Sequence, residues 1–282
     1  MPNELSELQR AMLEMMKWFH NYCVQNNITY YTICGSMIGA ARHKGFIPWD
    51  DDIDVGIPRK DYDRLIRISK KLNIQKDRYI IESYRDNNSD FQYACGEVYD
   101  THTTLIENKR IKTKRGIFID IFPIDGIGKS YREALSNYRP IKRQLILLTL
   151  KTSDVRKGRS WYKNLIIKIM GLVPDSILSV NNIVKKIDIL SHKHSYDDSR
   201  WCGALYSVWG TKEIVKKEVF GKPTLYKFED TEIYGVEKYD QYLTSVYGDW
   251  RKMPPMSKRV THHDFEYLNL NEPFISKKIQ GE

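Results

Sequence analysis

The chain of 282 residues is 41% hydrophobic and 29% charged, the balance of a globular protein with a sizeable core and one or two domains. Its formal net charge of +9 attracts phosphates of any kind, without separating nucleotides from nucleic acid or an anionic membrane surface. No stretch approaches the roughly 18 apolar residues of a membrane span, the N-terminus has no secretory pattern, and Cys23, Cys34, Cys95 and Cys202 show no zinc spacing. A cytoplasmic protein with reduced, buried thiols is expected.

Residues 4–25 place Leu5, Leu8, Met12, Met15, Trp18, Phe19 and Tyr22 at helical spacing before Asn26-Asn27, which predicts a packing helix. The apolar run from Tyr30 to Cys34 is then broken by Gly35-Ser36. A small-residue stretch follows (Met37 to Ala41), then the basic trio Arg42, His43 and Lys44. Trp49 to Ile57 reads as a strand in which Asp50, Asp52 and Asp54 share one face and Ile53, Val55 and Ile57 the other. Three carboxylates on about 14 Å of strand repel unless a cation neutralises them, and an all-oxygen set suits Mg²⁺, with Mn²⁺ as substitute. A solvated acidic loop is the plain alternative. A calcium loop is excluded, because Val55 stands where glycine is needed, Pro58 follows, and position 12 is Asp61 rather than glutamate.

Lys60 to Leu72 reads as an amphipathic helix, followed by strand-like runs at 79–83, 91–99 and 103–107. From Ile117 to Phe122 every residue is apolar except Asp120, as in a strand covered on both sides. An ionised carboxylate there costs several kcal/mol unless it is metal-bound or paired, with a buried arginine for instance. Asp125, just before Gly126, reads as a turn residue.

From about 131 to 195 the pattern is helical and lysine-rich. Residues 161–180 fit either a buried helix interrupted at Gly171 and Pro174 or a helix lying in a membrane interface. His192 and His194, with Cys202 nearby, read as an exposed turn rather than a metal site. The last segment carries Tyr239, Tyr242, Tyr247 and Trp250, fit to stack on a base or sugar, and the cluster Lys258, Arg259, His262 and His263, fit to hold a phosphate. Each is equally a core aromatic or a surface charge.

Together these pieces make a strand, a Gly-Ser turn, a small-residue helix, a strand with Asp-x-Asp, and a later strand with a lone Asp. Such carboxylates can clamp metal ions for phosphoryl transfer, the Gly-Ser turn can offer N–H groups to phosphate oxygens, and Arg42 and Lys44 can neutralise a diphosphate.

Residues 31–58, from Gly35-Ser36 and Gly39 through Arg42-His43-Lys44-Gly45-Phe46-Ile47-Pro48-Trp49-Asp50-Asp51-Asp52-Ile53-Asp54, closely resemble the signature of the LicD family, which includes the fukutin-related proteins. The resemblance continues through Gly116 to Pro123 and through Phe228-Glu229, Tyr247-Gly248-Asp249 and Pro254-Pro255. It implies an α+β fold with a polymerase-β-like nucleotidyltransferase core, a mixed sheet flanked by helices, and a mainly helical part beyond it. The expected division is a catalytic core over 1–130, a helical segment over 131–200 and an aromatic-rich part over 201–282 that completes the substrate site. The resemblance makes Asp52 and Asp54 the metal pair and Asp120 the third carboxylate. Gly35, Ser36, Arg42, His43, Lys44, Trp49, Asp50, Arg259, His262 and His263 are the expected substrate contacts. It further implies transfer of a phospho-alcohol, most often phosphocholine, from a CDP-linked donor to a sugar of a teichoic acid or lipopolysaccharide, with release of CMP. A lipid-linked acceptor would bring the protein to the inner face of the membrane; no nucleic-acid partner is expected. The alternatives are nucleotidyl transfer to a small molecule, with release of pyrophosphate, and a non-catalytic basic binding protein.

Overall fold

The computed structural model of the chain describes residues 5–86, 91–261 and 263–274. Helix α1 (Glu7–Gln25) starts on a capping box, in which Ser6 and Gln9 each satisfy the other's backbone N–H, and stops at Asn26. Met12, Met15, Met16, Phe19 and Cys23 recur at helical spacing along its buried face, which packs on the sheet.

The strand expected from Tyr30 is short. β1 is Tyr31–Thr32, and the chain turns through Cys34 in the left-handed region (φ 50°) directly into α2 (Cys34–Ile38). Gly35 and Ser36 therefore lie inside the first turn of a helix, not in a turn before it. The helix runs on as one π-helical turn, Gly39–His43, closed by Lys44 at φ 62°. Only glycine fits at 39, where a Cβ would stand 2.5 Å from the carbonyl oxygen of Gly45.

Strand β2 is Asp54–Pro58 and so begins five residues later than the alternation suggests. The Asp50 N–H closes a turn on the Ile47 carbonyl (2.8 Å), and the Gln9 amide of α1 holds the Asp50 carbonyl (2.9 Å). These bonds keep residues 49–52 out of the sheet, while the Ile53 carbonyl already accepts the Asp120 N–H (3.0 Å). Helix α3 (Arg59–Ser69) and strand β3 (Tyr79–Ser83) fall where their periodicity predicts. β4 (Gly96–Asp100) covers only the end of the run expected from Phe91, and β5 (Thr104–Glu107) and β6 (Lys114–Arg115) follow.

The eleven-residue β7 (Phe118–Gly128) is flanked by β2 in parallel and β4 in antiparallel pairing. Three helices come next: α4 (Tyr131–Thr152), α5 (Trp161–Leu172) and α6 (Val180–Ser191). β8 (Trp201–Gly203) then brings the chain back to the end of β7, with Trp201 opposite Gly128. Beyond it lie β9 (Val215–Lys216), α7 (Lys217–Phe220), β10 (Thr224–Phe228), β11 (Thr231–Gly235), α8 (Tyr239–Tyr247) and β12 (Phe265–Asn269). The main sheet runs β10-β11-β1-β2-β7-β4-β3, with β8 and β9 beside the end of β7, and a second sheet is β12-β5-β6. This is the α+β arrangement of a mixed sheet flanked by helices. A second apolar cluster, including Ile127, Tyr138, Ile141, Val184 and Ile187, holds α4 and α6 together.

Two further expectations fail. Asp125 is not in a turn; it lies within β7, 1% exposed, and gives both carboxylate oxygens to Arg59 (2.6 and 2.7 Å). An Asp-Gly pair turns only where the backbone is free to turn, and pairing with β8 keeps this one extended. The buried-helix reading of 161–180 also fails: Ile167 is the buried residue of α5, while Trp161 and Leu172 are 77% and 74% exposed. As expected, the four cysteines are free and buried and His192 is exposed on the turn after α6; His194, by contrast, is half-buried and bridged to Gly126 of β7.

Candidate active site

Asp54 and Asp120 are register partners on β2 and β7. Partners on parallel neighbours stand about 4.8 Å apart and project to one face, so the two half-buried carboxylates lie side by side. Immediately before β2, Asp50, Asp51 and Asp52 bring carboxylate oxygens within 4.8 Å of one another. Burial, and then the charges of Asp52 and Asp120, push the Asp54 carboxyl well above the usual carboxylate range. Burial and Glu97 do the same to Asp120, against the opposing pull of Arg115 and His263. Asp50 is pushed up to about 8 by burial and by Asp52. A set of carboxylates that raise one another's proton affinity is a set whose repulsion a divalent cation relieves, and the all-oxygen donors fit Mg²⁺ or Mn²⁺.

Helix α2 supports this group. Ser36 Oγ accepts the Asp54 N–H (2.9 Å), and a Cβ on Gly35 would stand 3.3 Å from Asp50 Oδ2. Behind the helix start, buried Glu213 accepts from Tyr242 OH (2.9 Å), Cys34 Sγ and Ser207 Oγ (both 3.3 Å), and Tyr242 OH accepts the Cys34 N–H (3.3 Å). These bonds hold the left-handed Cys34 in place. With no cation among its partners, burial pushes Glu213 up to about 7.

Arg259 and His263 lie against Trp49 and Asp51. Arg259 lies 5.4 Å over the Trp49 ring and donates from Nε to the Pro254 carbonyl (2.9 Å). His263 donates its N–H to Asp51 Oδ2 (3.2 Å), pairs through Nδ1 with Oδ1 (3.1 Å), and stacks on Phe265. Burial opposes the imidazolium, but the Asp51 hydrogen bond and the charges of Asp52, Asp51 and Asp120 outweigh it and push His263 up to about 9. Arg42 donates from Nη1 to the Trp250 carbonyl (2.7 Å) and from Nε to His43 Nδ1 (3.5 Å). Burial and the charge of Arg259 lower the Arg42 pKa, so the two guanidiniums share one region. Two subsites thus adjoin, one anionic around Asp50–Asp54 and Asp120, one cationic around Arg42 and Arg259.

Lys44 is exposed, its ammonium donating to the Ala41 carbonyl (3.3 Å). His262 lies outside the described residues. Sequence reasoning missed Asp51, which anchors His263, and Glu97, the 1%-exposed register partner of Asp120 on β4. Glu97 accepts from Arg115 Nη1 (2.7 Å) and from Tyr99 OH, and Arg115 also donates to Glu107. A charged residue inside an apolar strand is the signal that singled out Asp120; the same reasoning finds Glu97. Nothing local marks Glu213.

Residues 27–142 match the family model described as LicD/FKTN/FKRP, nucleotidyltransferase domain. The chain is 28% identical over 261 residues to the lipopolysaccharide cholinephosphotransferase LicD of Haemophilus influenzae, covering 92% of this chain and 96% of that protein. Shorter similarities link it to two uncharacterised rickettsial proteins. One, from Rickettsia typhi, is 32% identical over 90 residues (31% of this chain, 26% of that protein). The other, from Rickettsia prowazekii, is 43% identical over 51 residues (18% and 19%).

Proposed function

From the match of residues 27–142 to the LicD/FKTN/FKRP nucleotidyltransferase-domain family model, we propose that the chain is a Mg²⁺-dependent phosphotransferase. It moves phosphocholine from a CDP-linked donor to a sugar hydroxyl of a cell-surface glycan, as in lipopolysaccharide, and releases CMP. The observation that carries this reading is the pairing of Asp54 with Asp120 across β2 and β7, with Asp52 just upstream. Similarity to a lipopolysaccharide cholinephosphotransferase over most of both chains supports the choice of cargo and acceptor.

Asp52, Asp54 and Asp120 would hold the Mg²⁺, which when bound neutralises phosphate charge in the transition state. Arg42 and Arg259 take the donor diphosphate, and Trp49 offers a ring face beside them. His263, held cationic by Asp51, adds a donor on the acidic side of the site. The sugar hydroxyl loses its proton to Asp120, which stands beside Asp54 on the neighbouring strand. Its oxygen attacks the phosphorus that carries choline, forming the sugar–phosphate bond as the bond to CMP breaks. CMP leaves with the electron pair.

The test is incubation with CDP-choline, a lipopolysaccharide oligosaccharide acceptor and Mg²⁺. CMP and phosphocholine-labelled sugar, both lost on chelation, are expected. The family's nucleotidyltransferase architecture favours one second reading, transfer of a nucleotide from a triphosphate. Pyrophosphate appearing with a nucleoside triphosphate, and no CMP from CDP-choline, would establish it instead.

A further inference from the structure

The amphipathic helix α5 presents an apolar face that nothing in the described chain covers. Trp161, Tyr162, Leu165, Ile166, Ile169 and Leu172 are between 44% and 77% exposed. At 100° per residue they fill one continuous arc of about 140°; Lys168 falls about 20° beyond one edge and Lys163 about 60° beyond the other. The opposite side is the packed one: Ile167 is buried, and Arg110 lies over Gly171 and donates to the Ile167 carbonyl (3.3 Å). A surface helix normally turns its apolar side to the core and its charges to water. Here the apolar arc faces out and the lysines border it.

We propose that α5 docks the protein in the plane of an anionic lipid bilayer. The occupant is set by charge. Residues 161–172 contain two lysines and no acidic residue, and the exposed loop before them adds Arg156 and Lys157, on a chain of net charge +9. A basic rim around an apolar face matches anionic headgroups over acyl chains, with the lysine stems lying along the apolar surface and their ammonium groups reaching the phosphates. Trp161, at the start of the helix, suits the headgroup boundary. Exposed Val155 and Ile177 extend the apolar surface at both ends of the helix. No described helix is long and apolar enough to cross a membrane, so the contact lies on the surface of the bilayer.

The test is co-sedimentation of the full chain with phosphatidylcholine vesicles, with and without phosphatidylglycerol, in parallel with sedimentation equilibrium in the absence of lipid. The full chain is expected to pellet with the anionic vesicles. Trp161→Ser with Leu172→Ser lowers that partitioning at least about tenfold. Lys163→Gln with Lys168→Gln lowers it about 25-fold, fivefold for each charge. All four side chains are exposed, and an unchanged unfolding midpoint shows that the variants fold. Failure to pellet, or pelleting that both double variants leave intact, overturns the proposal. So does a concentration-dependent dimer abolished by Trp161→Ser with Leu172→Ser, which would make the face an interface between two copies. Because the readout is binding, it does not depend on whether the chain transfers phosphocholine.

Discussion

Replacing Glu213 by glutamine isolates the buried carboxyl that anchors the start of α2. Its folded pKa of about 7 lies well above the ordinary 4.5, because burial penalises the carboxylate more than the Tyr242, Cys34 and Ser207 donors repay. A group with a raised folded pKa stabilises the protein fully below its unfolded value, and that contribution disappears as the pH climbs through the folded value. At roughly 1.4 kcal/mol per pKa unit, the whole effect is about 3.5 kcal/mol, and about 2.5 kcal/mol of it is lost between pH 5 and pH 8. Glutamine keeps the neutral shape at every pH. Urea unfolding followed by circular dichroism, extrapolated to zero denaturant at both pH values, should therefore show Glu213→Gln gaining about 2.5 kcal/mol on the wild type across this interval. A difference that stays constant with pH would mean that Glu213 is not held protonated, and the account of this cluster would fall.

Asp54→Asn and Asp120→Asn should each lower CMP release about 100-fold or more, while thermal melts without added metal hold steady or rise, since each change removes a repelling charge. Asp125→Ala leaves Arg59 with Asp188 and the more distant Asp63 (3.7 Å) and should cost about 3–5 kcal/mol in urea unfolding, whereas Arg59→Met with Asp125→Leu should cost much less. Arg259→Ala should raise the KM for CDP-choline about tenfold with a smaller change in kcat, which initial-rate kinetics would resolve; an unchanged KM and kcat would place Arg259 away from the donor.

What could be read from the residues depended on the range of the interaction that fixes them. Asp120 was legible because an acid inside Ile117–Phe122 violates its own surroundings, and Asp54 because Ile53, Val55 and Ile57 alternate around it. α1 and α3 carried their periodicity plainly. The limits of β2 were not legible, because the bond from Gln9 that holds residue 50 out of the sheet comes from 41 residues away. Asp125 misled because Asp-Gly is a local turn signal, while the partners that keep it extended come from residues 59 and 201–203. In 161–172 the apolar side of the helix was evident, but which way it faces is decided by Arg110 and α4, elements the helix's own sequence does not name.

The way the chain leaves and rejoins the main sheet makes the helical segment exchangeable. It departs at Gly128 and comes back at Trp201, and those two residues sit opposite each other on paired strands. A module whose entry and exit adjoin can be lengthened, trimmed or swapped without changing the register of β2 against β7. The surface it carries, with α5 on it, can therefore vary while the aspartate centre remains untouched, provided that α6 keeps Asp188 beside Arg59.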